Sequence, residues 1–138
     1  MFKTKLVAIL TLVTLMFCCI TGCNNPKVVT QGENTVAITV SSRICEITDD
    51  LTLLDYMNAL KQKGEIDFII QDGMIIQIND ISQKANSYWM LYTDDGQNLN
   101  EAWGTIIFEE KTYASASLGA ESLIVKENCT YVWTYQTF

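Results

Sequence analysis

The chain has 138 residues, 49% of them hydrophobic, and a formal net charge of −7 with no histidine. The absence of histidine excludes the commonest general base and metal ligand, and with them the Ser-His and Cys-His nucleophile pairs. The acidic balance argues against nucleic-acid binding, which needs a basic surface.

The first residues have the pattern of a secretory signal. Two lysines precede an uncharged apolar run, residues 6–20, which is shorter than the ~20 residues that a membrane-spanning helix needs. The run ends in Ile-Thr-Gly-Cys at 20–23, which resembles the lipobox of bacterial lipoproteins. We therefore expect residues 1–22 to be a cleaved signal peptide and Cys23 to carry the lipid that anchors the protein outside the cytoplasm. The alternative is an ordinary signal peptide, or a short anchor helix, in which Cys23 is incidental.

Cleavage would also remove two of the nine basic residues and two of the five cysteines. The mature chain would carry 7 basic and 16 acidic residues, a net charge of −9, with Cys45 and Cys129 as the cysteines of its folded part. A disulfide between them would contribute ~4 kcal/mol in the chain-entropy model. The alternative is two free thiols packed in apolar strands. Two cysteines do not make a zinc site, so we expect neither a metal nor a resident cofactor.

The segment after the signal is expected to link the lipid to the fold. Residues 23–34 are polar, contain the single proline and lack an apolar period, so the sequence predicts a flexible stalk after the lipidated cysteine. Residues 35–138 are the predicted domain. Alternating apolar residues predict a first strand over 35–47. Thr52 and Asp55 have the spacing of a helix N-cap with its reciprocal partner, and an apolar stripe follows at helical spacing.

A hairpin is predicted around Asp72-Gly73. A two-residue turn there would place the apolar residues of the two strands on opposite faces. A three-residue loop over 71–73, with Gly73 left-handed in a bulge, would pair Ile70 with Met74 and bring both apolar sets to one face. The sequence therefore favours the bulged loop.

The rest of the chain reads as strands and turns. Residues 88–93 and 131–138 alternate as strands, 97–104 is loop-like, 105–109 is a short strand and 113–118 is a tight connection or an edge. With one helix, these elements predict an α+β fold. We expect a mixed, mostly antiparallel sheet of five or six strands covered by the helix.

Tyrosine and tryptophan side chains are the most suggestive candidates for binding. Flat rings with a polar edge suit stacking on a sugar or on a large ring ligand, whereas the alternative is packing on a sheet, where aromatic residues are common. Trp103, beside Gly104, and Tyr113 are the two that we expect to be exposed.

The turn that begins at Asp94 contains several oxygen ligands of the kind that calcium prefers. They are Asp94, Asp95, Asn98, Asn100 and Glu101. Their spacing does not match the helix-loop-helix calcium pattern, so the alternative is a solvated turn. No arrangement of residues indicates catalysis, and we expect the protein not to be an enzyme.

Four motifs, in this order, resemble a known family. They are LTLLD at 51–55, GMIIQIND at 73–80, YWMLY at 88–92 and YVWTY at 131–135. The set resembles the C-terminal domain of transcobalamin and intrinsic factor, and its bacterial relatives on surface lipoproteins. The resemblance extends over about residues 35–138 and implies a β-grasp-like domain, which in the vertebrate transporters covers one side of bound cobalamin. It also implies that Trp89, Tyr92 and the loop after Asp94 lie nearest to a ligand.

The expected function is therefore a bacterial surface lipoprotein that is anchored to the membrane through Cys23 and binds a small ligand. A corrinoid or a glycan is the candidate ligand, and the candidate binding residues are Trp89, Tyr92, Trp103 and Tyr113. The alternative is a non-catalytic protein-interaction or structural module of a cell-surface complex.

Overall fold

The computed structural model describes residues 27–138. The predicted signal peptide and Cys23 lie outside the described residues. The described part contains nine strands and one helix: β1 (Val29–Gly32), β2 (Thr35–Thr39), α1 (Leu53–Gln62), β3 (Phe68–Gln71), β4 (Met74–Ile78), β5 (Ile81–Ser82), β6 (Ser87–Thr93), β7 (Leu99–Phe108), β8 (Lys111–Ala116) and β9 (Thr130–Thr137).

The strands form two sheets. A six-stranded sheet has the order β1-β2-β9-β6-β8-β7, and a three-stranded sheet has the order β3-β4-β5. Each pairing between these strands is antiparallel. The α+β class and the mostly antiparallel arrangement are thus confirmed, whereas the expected single sheet is divided in two.

Helix α1 forms where the sequence predicts it. The Thr52 hydroxyl accepts from the Asp55 N–H at 3.1 Å, and the Asp55 carboxylate accepts from the Thr52 N–H at 3.3 Å, which completes the capping box. Just past the helix, Gly64 has a φ of +72°, a conformation that favours glycine. The face that α1 buries consists of Leu53, Tyr56, Met57 and Leu60.

Two apolar cores lie on opposite faces of the six-stranded sheet. The larger core contains the buried face of α1 and buried residues of both sheets, among them Trp89, Leu91 and Trp133. The smaller core is formed by Ala37, Tyr92, Tyr113 and Val132. Successive strand residues point to opposite faces, so β6 supplies Leu91 to one core and Tyr92 to the other.

The six-stranded sheet is strongly curled over the smaller core. Gly32 lies in β1 at one edge of the sheet, and Phe108 lies in β7 at the other. A Cβ atom at Gly32 would stand 3.2 Å from a ring carbon of Phe108. The two edge strands therefore approach each other across this face.

The predicted stalk and first strand need correction. Within the segment predicted to be flexible, Val29–Gly32 is strand β1, because it pairs with β2 and buries Val29 in the larger core. Because this segment is mostly polar, its sequence does not indicate a short edge strand. The predicted strand over 35–47 is shorter and ends as β2 at Thr39.

The turn prediction for the β3-β4 hairpin is also wrong. The structure has a two-residue turn in which Gln71 pairs with Met74, not a three-residue loop over 71–73. Asp72 has a φ of +50° and Gly73 a φ of +78°, and two such residues match the right-handed twist of a hairpin.

The bulge that the sequence predicts in the loop lies within the strands instead. Ile69 pairs with Gln77, and the next residue, Ile70, pairs with Ile75, so β4 has one extra residue at this point. The bulge shifts the alternation, and Ile75 and Ile78 are both buried. A two-residue turn alone would place the apolar side chains of the two strands on opposite faces. The bulge outside the turn brings them to the same face.

The later strands are longer than the sequence predicts, although β6 and β9 are confirmed. Residues 97–104 were expected to be a loop, but β7 runs from Leu99 to Phe108 and pairs with β8. Its pairing is interrupted between Asn100 and Thr105, and Gly104 there has a φ of +119°. This interruption breaks the alternation of apolar and polar residues that would have indicated a long strand.

Candidate functional site

A groove of about 290 Å³ opens beside β6. It is lined by residues 73–75 of the β3-β4 hairpin, residues 89–91 of β6 and Trp133 of β9. Residues 115–120, which include the end of β8 and the segment that follows it, complete the lining. We call it the tryptophan groove, because two of the chain's three tryptophans line it.

The groove is apolar and has an exposed rim. Met74 is 53% exposed and Leu118 is 47% exposed, whereas Trp89, Leu91 and Trp133 are buried. None of its lining residues is charged. Apolar side chains that remain this exposed next to a concave surface are typical of a binding site.

The two tryptophans of the groove differ in their hydrogen bonding. The Trp89 Nε1 donates to the Ile81 carbonyl at 3.0 Å, and its ring packs against Tyr135 with 5.4 Å between centroids. The Trp133 Nε1 is buried and has no hydrogen-bond partner in the described part of the chain. An unpartnered buried donor costs about 1–3 kcal/mol of stability.

One edge of β6 is uncovered along the groove. Strand β8 pairs with β6 only through Tyr92 and Thr93. Beyond β8 the chain turns to the start of α1, where the Leu54 N–H donates to the Ala120 carbonyl at 2.9 Å. As a result, no described strand pairs with residues 88–91 on this side of β6.

The four candidate aromatic residues do not form one site. Trp89 lines the groove, whereas Tyr92 and Tyr113 are buried together in the smaller core on the opposite face. Trp103 is 64% exposed on β7, as expected. The expectation that Tyr113 is exposed is wrong, because β8 places its ring against Tyr92 under the curled sheet.

The acidic turn is a structural element of the fold. Asp95 is only 1% exposed and accepts hydrogen bonds from the Gln97 N–H at 3.1 Å, the Asn98 Nδ2 at 2.7 Å and the Tyr131 hydroxyl at 3.0 Å. The Lys126 Nζ lies 3.7 Å from the same carboxylate. The turn is therefore not simply solvated.

These contacts set the protonation of the turn. Burial disfavours the charged form of Asp95, but the hydrogen bonds from Asn98, Gln97 and Tyr131 outweigh it and hold the pKa of Asp95 below its usual range. Burial raises the pKa of Tyr131, which keeps its hydroxyl a donor. In residues 27–138, no group of three or more acidic or cysteine side chains is placed to hold a metal ion.

The second carboxylate of the turn is engaged as well. Asp94 forms an ion pair with Lys111 and accepts from the Thr130 N–H at 2.7 Å. The Lys111 Nζ also stands 5.5 Å from the centre of the Tyr113 ring. These contacts join the turn after β6 to the starts of β8 and β9.

Cys45 and Cys129 are free thiols in the structure. Both are half-buried against the larger core. Burial raises the pKa of each thiol, so both are protonated and poorly nucleophilic at neutral pH.

Sequence reasoning did not identify Trp133, Met74 or Leu118 as site residues. The alternation of the last strand places Trp133 on one face with Tyr131 and Tyr135, but nothing in the sequence shows that its indole lacks a partner. Met74 and Leu118 come from elements that are distant in sequence, and only the tertiary fold brings them to one rim.

The fold and the groove together define a small α+β domain with an apolar site next to an open strand edge. Comparison of the chain with protein-family models, with curated proteins and with solved structures finds no match. Within residues 27–138, no helix has the length and apolar character needed to cross a membrane.

Proposed function

We propose that this protein is a lipid-anchored protein of the bacterial cell surface, and that its domain binds a ligand in the tryptophan groove. The proposal for the anchor rests on the signal pattern and on the small residues before Cys23. Each acyl methylene buried in the bilayer contributes ~0.8 kcal/mol, so two or three chains on one cysteine give stable attachment.

The position of β1 limits how far the domain can stand from the membrane. Val29, where β1 begins, is six positions after Cys23. Even fully extended, this length spans only about 20 Å. The edge of the six-stranded sheet would therefore lie close to the lipid headgroups, and the groove would be presented at a short distance from the membrane.

The apolar groove with its exposed rim at Met74 and Leu118 is the observation that carries the binding proposal. Ligand sites combine an apolar lining with a few polar groups that fix orientation, and this groove has that composition. The absence of histidine supports binding rather than catalysis.

A corrinoid is the first ligand to test. It follows from the resemblance to the transcobalamin C-terminal domain, which also implies a β-grasp-like fold for this chain. The groove volume of about 290 Å³ is at the lower end of the range for small-molecule sites, so a ligand as large as a corrinoid would lie across the rim and insert only an edge or a side group. A glycan is the second ligand, since the two tryptophans that line the groove offer flat rings for stacking.

The experiment is a titration of the full chain, held in lipid nanodiscs, with cobinamide, cobalamin and neutral oligosaccharides. Saturable binding is expected, and Met74→Glu at the rim should weaken it at least tenfold. Ile107→Glu is the control, because Ile107 is also apolar and exposed but lies on β7, outside the groove. Binding that is unchanged by Met74→Glu would contradict the assignment of the site.

A protein-interaction module of a surface complex is the second candidate function. The uncovered edge of β6 favours it, because an unpaired strand edge can accept a strand from another chain.

A further inference from the structure

We propose that the tryptophan groove takes an extended peptide segment of a partner protein, which adds as a strand to the open edge of β6. This inference rests on the proposed function, because it names the ligand class of the same groove. Three features of the groove support it: the direction of the β6 backbone, the size of the apolar space and the charge at one end.

The backbone of β6 directs its hydrogen-bonding groups in an alternating way. The Asn86 carbonyl accepts from the Phe138 N–H at 2.8 Å, and the Asp94 N–H donates to the Thr130 carbonyl at 3.3 Å, so the even-numbered residues at both ends face β9. Backbone groups of successive strand residues point to opposite sides. Trp89 and Leu91 therefore direct their N–H and carbonyl groups away from β9, to the side on which β8 pairs only with Tyr92 and Thr93.

The open edge is next to the groove, so one ligand can use both. Residues 89–91 line the groove, and β8 leaves the edge before it reaches them. Trp89 and Leu91 pack in the larger core, which holds this edge in place for a partner that completes its hydrogen bonds. An extended peptide supplies N–H and carbonyl groups at the required spacing, which a corrin ring does not.

The groove is suited to side chains that belong to a longer ligand. Its volume of about 290 Å³ lies just below the usual range of about 300–1,000 Å³ for small-molecule sites. Successive side chains of an added strand point to opposite faces, so alternate residues would enter the apolar space beside Trp89 and Trp133.

Two carboxylates mark the hairpin end of the groove. Asp72 precedes the lining residue Gly73, and a Glu121 carboxylate oxygen lies 3.0 Å from the position of a Cβ atom on Gly73. Both acidic residues are exposed. Charge complementarity therefore favours a peptide with alternating apolar side chains followed by a basic residue at this end.

The test uses synthetic peptides and the full chain in lipid nanodiscs. The probes are acetylated and amidated peptides of about seven residues, with isoleucine, leucine or phenylalanine at two alternating positions and lysine at either end. The control for each peptide has the same side chains but carries N-methyl groups on alternate residues, which removes the donors for strand pairing. Binding is followed by titration, and the exchange rates of the Trp89 and Leu91 amides are measured by NMR with and without peptide.

We expect saturable binding by members of the set, at least tenfold weaker for the N-methylated controls and for Met74→Glu, and unchanged for Ile107→Glu. The Trp89 and Leu91 amides should exchange more slowly in the complex. Replacing the lysines of the peptide by glutamate should weaken binding, and the effect should decrease with salt.

The outcomes separate this inference from the proposed function. Cobinamide binding that Met74→Glu abolishes, with no binding by any peptide up to millimolar concentration, would keep the groove as a ligand site and overturn the peptide assignment. Peptide binding that is insensitive to N-methylation would overturn strand addition. Failure of every probe to bind would overturn both.

Discussion

Trp89 and Trp133 offer a matched pair of substitutions, because both are buried, both belong to the larger core and both line the same groove. Their exposures are 6% and 5%, so replacement by phenylalanine removes a similar apolar volume from each position. The two changes differ in what they do to hydrogen bonds. Trp89→Phe removes the donor to the Ile81 carbonyl, whereas Trp133→Phe removes a donor that has no partner in the described residues.

The difference can be estimated from hydrogen-bond energetics. Loss of the Trp89 bond costs about 0.5–1.5 kcal/mol, and more if the Ile81 carbonyl is left unpaired. Removal of the unpartnered Trp133 donor returns about 1–3 kcal/mol and offsets the loss of packing. We expect the free energy of unfolding of Trp133→Phe to exceed that of Trp89→Phe by about 2 kcal/mol or more.

Urea denaturation of the two variants and the parent protein measures this difference directly. The slopes of the transitions should agree, so that the midpoints report stability alone. If Trp133→Phe were as destabilising as Trp89→Phe, the Trp133 indole would have a partner in the folded protein, which would contradict this reasoning.

Further predictions concern the turn, the helix, the hairpin and the anchor. Asp95→Asn should lower the free energy of unfolding by about 1.5–3 kcal/mol in urea denaturation, because charged hydrogen bonds are lost. The pKa of Asp95 is lowered, so its contribution to the free energy of unfolding is complete above the unfolded pKa of about 3.9. This contribution is lost as the pH falls through the native pKa, and acid titration of the variant should lack this loss. Thr52→Ala should cost about 1 kcal/mol of stability by removing the N-cap, and calorimetry showing no loss would contradict the capping box. Gly73→Ala should cost about 1–2 kcal/mol, because its φ is positive; an unchanged melting temperature would count against the turn geometry. Cys23→Ser should abolish incorporation of labelled palmitate and release the protein from the membrane fraction, whereas retained label would contradict lipidation at Cys23.

Local signals in the sequence predicted the elements whose causes are local. The capping box at Thr52, the strand that became β6 and the common face of Tyr131, Trp133 and Tyr135 all follow from spacing within a few residues. The α+β class follows from the same elements.

Elements that depend on distant partners were not predictable in this way. Strand β1 exists because β2 provides an edge for it, and β7 is long because β8 pairs with it on both sides of an interruption at Gly104. The bulge that corrects the facing of β3 and β4 has no mark in the sequence.

The groove depends on tertiary structure even more strongly. It forms because the chain after β8 is held at the start of α1, which leaves the edge of β6 open beside Met74 and Leu118. Asp95 illustrates the same limit, since its carboxylate belongs to a turn that looks solvated but is buried against Tyr131.

The indole N–H signals of the three tryptophans test the central claim most directly. Trp89 and Trp133 line the groove, whereas Trp103 is exposed on β7, so ¹H–¹⁵N spectra recorded during titration of the full chain with cobinamide and with the peptides distinguish the two regions. We predict that the Trp89 and Trp133 signals move and that the Trp103 signal stays in place. Movement of the Trp103 signal alone, with both groove signals unchanged at saturation, would show that the ligand binds elsewhere and would contradict the assignment of the groove as the binding site.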